Sequence, residues 1–223
     1  MSALNHIISS CTVGHNTVCK DGARLFTPSP GHPDEISSQS LNDFLMSIYR
    51  SLQLDYPKFY KMDQLSKLGW LASELVLRDF RLPEEWQPED IGIVLTNANS
   101  SLDTDIKYLD TVKDIPSPAV FVYTLPNIMI GEISIRNKFK GENAFFIFDR
   151  FDAAFLEQYV GQLLDTGLLK ACICGWVDVL GEEYRAAVFL VTHDHPGDTA
   201  SPTLFTKENL DKIFMEENGN VSK

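Results

Sequence analysis

Two short runs constrain the fold of this chain more than anything else in it. Ile91–Thr96 (IGIVLT) and Ala144–Phe148 (AFFIF) are apolar at nearly every position. A strand with one wet face alternates, whereas a strand buried on both faces reads as a continuous apolar run. Such strands need a helical layer on each side, and the chain supplies the helices. In Tyr60–Arg81, the residues Met62, Leu65, Leu68, Ala72, Leu75 and Val76 recur at three- and four-residue spacing and form one stripe. In Arg150–Thr166, Phe151, Ala154, Phe155, Tyr159, Leu163 and Leu164 do the same, and Gly167 stops the helix.

Turn and breaker residues divide the rest. His6–Val13 predicts a first short strand, and Cys19–Ser40, rich in Gly, Pro, Ser and Asp, predicts a loop. Leu41–Leu54 predicts a short helix, and Pro83 and Pro88 end the long one that comes after it. Asn97–Asp105 is a polar turn ahead of a brief helix at Ile106–Val112, after which Pro116 and Pro118 break the chain again. Pro126 suits the first residue of a helix running to Phe139, with Thr124 as its cap and Gly141 after it. Leu169–Val179 and Tyr184–Thr192 are strands joined at Gly181. The order predicts an α/β domain over residues 1–192, with a mostly parallel five-stranded sheet, a terminal hairpin and packed helices. From His193 to the end, residues 193–223 form a polar tail with one helix at Lys207–Glu217.

An apolar content of 44% and a charged content of 22% are those of a globular protein. The net charge of −12 argues against a nucleic-acid partner, because phosphate recognition needs a basic surface. No apolar run approaches the about 18–20 residues of a membrane span. Met1–His6 has no basic segment ahead of an apolar core, so the expectation is a cytoplasmic protein. The spacing of Cys11, Cys19, Cys172 and Cys174 fits neither a zinc knuckle nor a disulfide scaffold. Cys172 and Cys174 fall on one face of a strand, and the expectation is buried free thiols.

Several short words recur along this framework. Lys61-Met62-Asp63 opens the long helix, and Ser101-Leu102-Asp103-Thr104-Asp105 comes after the first buried strand. Ser117-Pro118-Ala119-Val120-Phe121, Thr124-Leu125-Pro126-Asn127 and Gly131-Glu132-Ile133 come next, then Gly141, Gly167 and Cys174-Gly175-Trp176-Val177-Asp178. In this order they resemble the N-terminal half of the β-ketoacyl-acyl carrier protein synthases, the ketosynthases, which have the thiolase fold. The resemblance runs from Tyr60 to Val191 and lies on the sequence without a gap between Gly141 and Gly175.

The resemblance implies half of a thiolase-like fold, and it breaks where the chemistry would be. At the position of the family's reactive cysteine stands Arg150, within Phe148-Asp149-Arg150-Phe151-Asp152. A guanidinium stays protonated and offers no lone pair to a thioester. The second half, which carries the family's catalytic histidines, has no counterpart in this sequence. The expectation is therefore no catalytic residue and no cofactor. The resemblance implies a ketosynthase-like subunit, similar to a chain length factor, in fatty-acid, polyketide or aryl-polyene-type biosynthesis. Its partners would be a full-length ketosynthase or a second copy of itself, with acyl carrier protein as a further partner. Ala144, Phe145, Phe146, Ile147 and Phe148 hold the place of the family's dimer strand. Arg150 and Phe151 are candidates for a tunnel or interface position, although Asp149 and Asp152 also offer Arg150 local ion pairs. Lys61 matches a position that contacts the carrier protein in the family, and Lys58, Arg136, Lys138 and Lys140 could add to it. Two alternatives stay open: a hydrolase or metal enzyme using His193, Asp194 and His195, and a homodimeric module that binds acyl thioesters or a carrier protein.

Overall fold

The computed structural model describes residues 4–26, 40–193 and 203–216. Its strands are β1 (Asn5–Gly14), β2 (Thr17–Lys20), β3 (Ala23–Phe26), β4 (Ile91–Asn97), β5 (Asn143–Ile147), β6 (Ala171–Leu180), β7 (Glu183–His193) and β8 (Thr203–Leu204). Its α-helices are α1 (Leu41–Ser51), α2 (Gln64–Leu77), α3 (Leu102–Val112), α4 (Pro118–Phe121), α5 (Asn127–Asn137), α6 (Ala153–Asp165) and α7 (Lys207–Glu216). The strands form one sheet in the order β3-β2-β1-β7-β6-β4-β5, with β8 on β1.

That sheet corrects the sequence-based expectation: it has eight strands and is mixed, not mostly parallel. Only β4 has parallel neighbours on both sides, β5 and β6. β6–β7, β7–β1, β1–β2 and β2–β3 are all antiparallel. The cause is local. His15-Asn16 and Asp21-Gly22 each place two successive residues at positive φ, the backbone that folds a two-residue hairpin. The stretch Cys19–Ser40, expected to be a loop, therefore begins with the end of β2 and the whole of β3, and residues 27–39 lie outside the described set.

Side-chain alternation on β6 sorts the core. Ala171, Ile173, Val177 and Val179 face the cluster built with α1, α2 and α5. Cys172, Cys174 and Trp176 face the cluster built with α6 and α7. β4 does the same, with Ile93 and Leu95 on one side and Val94 on the other. The chain passes from β4 outward to β5 and then back across β4 to β6. Right-handed crossovers in opposite directions put α5 and α6 on opposite faces. The continuous apolar runs are therefore strands covered on both faces. Gly175 sits in the middle of β6 with φ +146, and a β-carbon there would lie 2.0 Å from the Ala187 carbonyl oxygen.

The long helices start later than their apolar periodicity predicts, because aspartates cap them. Pro57–Lys61 is a 3-10 turn, and Asp63 Oδ1 accepts the Ser66 N–H at 2.9 Å, so α2 begins at Gln64. Asp152 accepts the Phe155 N–H at 2.9 Å, so α6 begins at Ala153. Thr124 does not cap α5: its hydroxyl donates to the Phe121 carbonyl at 2.8 Å.

Asp63 also ties α2 to α3, since the Thr104 hydroxyl donates to its Oδ2 at 2.6 Å. Burial raises its pKa above the usual carboxylate range, outweighing these hydrogen bonds, with the Asp103 charge adding to the rise. A raised acid favours the folded state when protonated, so its ionisation opposes folding at neutral pH. Asp63→Asn, which keeps the cap, should therefore be more stable than wild type at pH 7. The gap should close as pH falls through the carboxylate range, where the folded wild type takes up its proton first. Asp63→Ala loses the cap and should cost about 1 kcal/mol relative to Asp63→Asn. Thermal unfolding across pH checks both.

Candidate functional site

The parallel strands β4, β5 and β6 end on the same side of the sheet, where open α/β sheets form binding crevices. Two connections meet there. Residues 98–101 leave β4, and residues 148–152 leave β5, joined by the Phe148 N–H donating to the Asn97 carbonyl at 2.9 Å. Asp178 on β6 holds the first connection from below. Its Oδ1 accepts the N–H groups of Ala98 and Asn99 at 3.2 and 3.0 Å, and its Oδ2 accepts the Asn99 amide at 2.7 Å. Asn97 closes the turn by bonding both backbone groups of Ser100, which takes φ 50. The motif Cys174-Gly175-Trp176-Val177-Asp178 is thus architectural: a glycine for strand approach and a carboxylate that latches a loop.

Arg150 lies in the bend between β5 and α6 and is exposed. Among the described residues it makes no ion pair with Asp149 or Asp152, so the local pairing that the sequence offers does not form. Asp152 is spent on the α6 cap instead. Phe151 turns inward and is half-buried. It stacks on Phe214 at 4.2 Å and meets Trp176 edge-on at 6.4 Å. The residue after Arg150 is therefore packed among aromatic rings.

The candidate dimer strand, β5 together with Phe148, forms an edge of the sheet. It pairs with β4 on one side only, and Ile147 is 54% exposed. Phe145 packs toward α5 and the first cluster. Phe146 and Phe148 join Phe155 and Tyr159 in an aromatic group on the other face, with ring centroids 4.8–6.1 Å apart. Ala144 is half-buried between these faces.

Lys61 is exposed and makes no ion pair among the described residues. Its expected neighbours are largely spoken for. Lys58 pairs at 2.8 Å with Glu132, a buried carboxylate on α5 that also accepts the Tyr123 hydroxyl at 3.2 Å. Arg136 is held by Glu74 at 3.3 Å and lies over the rings of Tyr56 and Trp70. Lys140 faces Glu89 at 3.8 Å. His193 bonds Asn5 at 2.9 Å and lies 3.6 Å from Asp165, while Asp194 and His195 fall outside the described residues. Cys172 and Cys174 are buried free thiols, and burial pushes both up in pKa; Cys11 is buried as well.

No protein-family model matches the sequence, and no curated protein is similar to it in sequence. Solved structures are similar in fold. The ishigamide ketosynthase/chain length factor matches with a TM-score of 0.61 and 15% identity, over 87% of this chain and 63% of that one. The fold is that of the ketosynthases. In this ketosynthase fold the type II polyketide synthase complex AntDE:AntF, an acyl carrier protein with its ketosynthase, matches at 0.55 and 14% identity, over 86% of this chain and 63% of that one. The ketosynthase ApeO with its chain length factor ApeC from Xenorhabdus doucetiae matches at 0.57 and 10% identity, over 97% of this chain and 92% of the matched chain. The present chain thus spans 63% of the length of the first two. At these identities the likeness is one of fold.

Two features of the site escape sequence reasoning. One is the role of Asp178: the word Cys174-Gly175-Trp176-Val177-Asp178 contains the residue, but nothing in it shows that the carboxylate latches the loop after β4. The other is the outward-facing stripe on α3. There the spacing of Leu102, Ile106, Leu109 and Val112 is visible, but the direction in which it points is not.

Proposed function

We propose that this chain is a non-catalytic ketosynthase-like subunit. It pairs in the cytoplasm with a full-length ketosynthase of fatty-acid, polyketide or aryl-polyene-type biosynthesis and shapes that partner's acyl tunnel. Arg150 carries this reading. It occupies the place where the resemblance puts the nucleophile, at the carboxyl ends of the parallel strands, and its guanidinium cannot accept an acyl group. No cysteine stands in for it: three are buried, and Cys19 lies on β2, at the other end of the sheet order from β5.

Two observations support the pairing. The β5 edge is open, and an edge strand is a template for another chain. The chain matched in the ApeO–ApeC complex is covered to 92%, so it is close to this chain in length, whereas the ishigamide match is covered to 63%. Lys61, exposed beside α2, is the residue we assign to carrier-protein contact.

Native mass spectrometry after co-expression with the full-length ketosynthases of the same genome, one at a time, tests the reading. A 1:1 heterodimer is expected. A homodimer or monomer, with every synthase pairing only with itself, would instead leave in front the module that binds acyl thioesters or a carrier protein and the reading as an enzyme of another class. A complementary result is expected from Arg150→Cys. The variant should show one more fast-reacting thiol toward an aromatic disulfide reagent than wild type, because position 150 is exposed, yet neither should form a β-ketoacyl product. Condensation by the purified wild-type chain would overturn the non-catalytic assignment.

A further inference from the structure

Helix α3 is amphipathic in the wrong sense for a surface helix. Its buried residues are Asp103 and Thr104. They are fixed by polar contacts: Asp103 Oδ1 accepts the Gly181 N–H at 3.0 Å, and Thr104 donates to Asp63 at 2.6 Å. The helix cannot roll to hide its apolar side without breaking both. Leu102, Ile106, Leu109 and Val112, at i, i+4, i+7 and i+10, therefore face water, with Leu109 65% exposed. Phe121 and Leu125, each 57% exposed, extend the stripe, and the ring contact of Tyr108 with Phe121 at 5.3 Å joins α4 to α3. Nine of the seventeen exposed large apolar side chains among the described residues fall between Leu102 and Ile135, so the exposure is concentrated in this stretch of chain rather than spread evenly along it.

The charges around the stripe select its occupant. Residues 102–115 contain Asp103, Asp105, Asp110 and Asp114 against Lys107 and Lys113, a net −2. Both lysines are neutralised, Lys107 by Asp103 and Lys113 by Asp110, each at 2.6 Å. Asp105 and Asp114 have no cationic partner among the described residues. A second copy of this −12 chain would bring the same acidic rim against itself, and an anionic lipid surface would repel it.

We infer that the α3–α4 stripe is a docking face for a different polypeptide, one presenting an apolar groove rimmed by Lys and Arg. The inference rests on the pairing reading and names this face as the contact that makes the pair a heterodimer. α3 begins five residues after Asn97, whose carbonyl bonds Phe148, so the stripe starts at the same end of the sheet as the exit of the open β5 edge.

The test uses Ile106→Glu/Leu109→Glu, with Leu109→Ser as a milder change, co-expressed with the same full-length ketosynthases. Both substituted positions are exposed, so circular dichroism and melting temperature should match wild type. The double variant should bind the synthase about tenfold or more weakly than wild type, with Leu109→Ser intermediate. Undiminished pairing by a folded double variant would overturn this inference and leave the pairing reading intact. Absence of any wild-type heterodimer would remove both. Two other results would overturn the choice of occupant. In one, the double variant splits a wild-type homodimer. In the other, wild type floats with phosphatidylcholine/phosphatidylglycerol vesicles and the double variant does not.

Discussion

Gly175→Ala is expected to destabilise the protein by about 4 kcal/mol or more, enough to leave little of it folded. The reason is position, not propensity. Gly175 is in the middle of β6, between β4 and β7, and its added β-carbon would lie 2.0 Å from the Ala187 carbonyl oxygen and 3.0 Å from its carbon. Those atoms are backbone of β7 and cannot swing away as a side chain can. Relief would require prising β7 from β6 across the Gly175–Val188 pair, in the most extensive ladder of the sheet. A φ of +146 adds strain for any residue with a β-carbon. Gly131 is the control. It lies within α5, and a methyl group added there would meet nothing within 4 Å, so Gly131→Ala should gain stability by up to about 1 kcal/mol from helix propensity. Urea unfolding separates the two variants. A Gly175→Ala protein with wild-type stability would mean that β6 and β7 do not approach as closely as described.

The same ladder shows what the sequence made legible. β4, β5, β6, β7, α2 and α6 were readable because burial on two faces, or on one stripe, leaves a period in the residues. The direction of the strands was less so. An alternation of strand and helix fits a parallel sheet, and nothing in Asn5–Gly14 marks it as antiparallel beside β7. The hairpin at Asp21-Gly22 did carry a signal, since Asp-Gly is a favoured two-residue turn. It was outweighed by the Gly, Pro and Ser around it. Helix starts were displaced for one reason twice: Asp63 and Asp152 sit inside apolar stripes but act as caps.

The site was legible as words and not as contacts. Arg150 could be placed by the gapless run from Gly141 to Gly175, yet its flanking aspartates gave the wrong partner, because a cap on α6 takes Asp152 away. Phe151 was readable as apolar, but its stacking partner Phe214 lies 63 residues on, beyond the reach of any local pattern. The stripe on α3 inverts the usual rule, and only the tertiary bonds of Asp103 and Thr104 decide which side faces out. Local pattern reports that a face exists; long-range polar contacts report where it points.

Ending the chain at residue 202 is expected to abolish cooperative folding, and Phe214→Ala alone to cost about 3–5 kcal/mol. Helix α7 closes the second face of the sheet. Leu210 is fully buried, Phe214 is 8% exposed, and Phe205 just before the helix joins them in the cluster with Cys174, Trp176 and Phe189. Phe214 is held from two sides: its ring stacks on Phe151, and the Arg185 guanidinium covers it 3.6 Å from the centroid while donating to its carbonyl. Removing the ring leaves a cavity beneath the bend that carries Arg150, so the loss should be local as well as global. Hydrogen exchange in residues 148–160 should accelerate more than in α1 on the opposite face, and Phe214→Leu, which refills much of the volume, should recover most of the stability. Equal acceleration on both faces would mean that the core responds as one unit. Wild-type stability of the truncated chain would mean that α7 rests on the sheet without closing it, leaving that face, rather than the α3 stripe, as the larger apolar surface for a partner to cover.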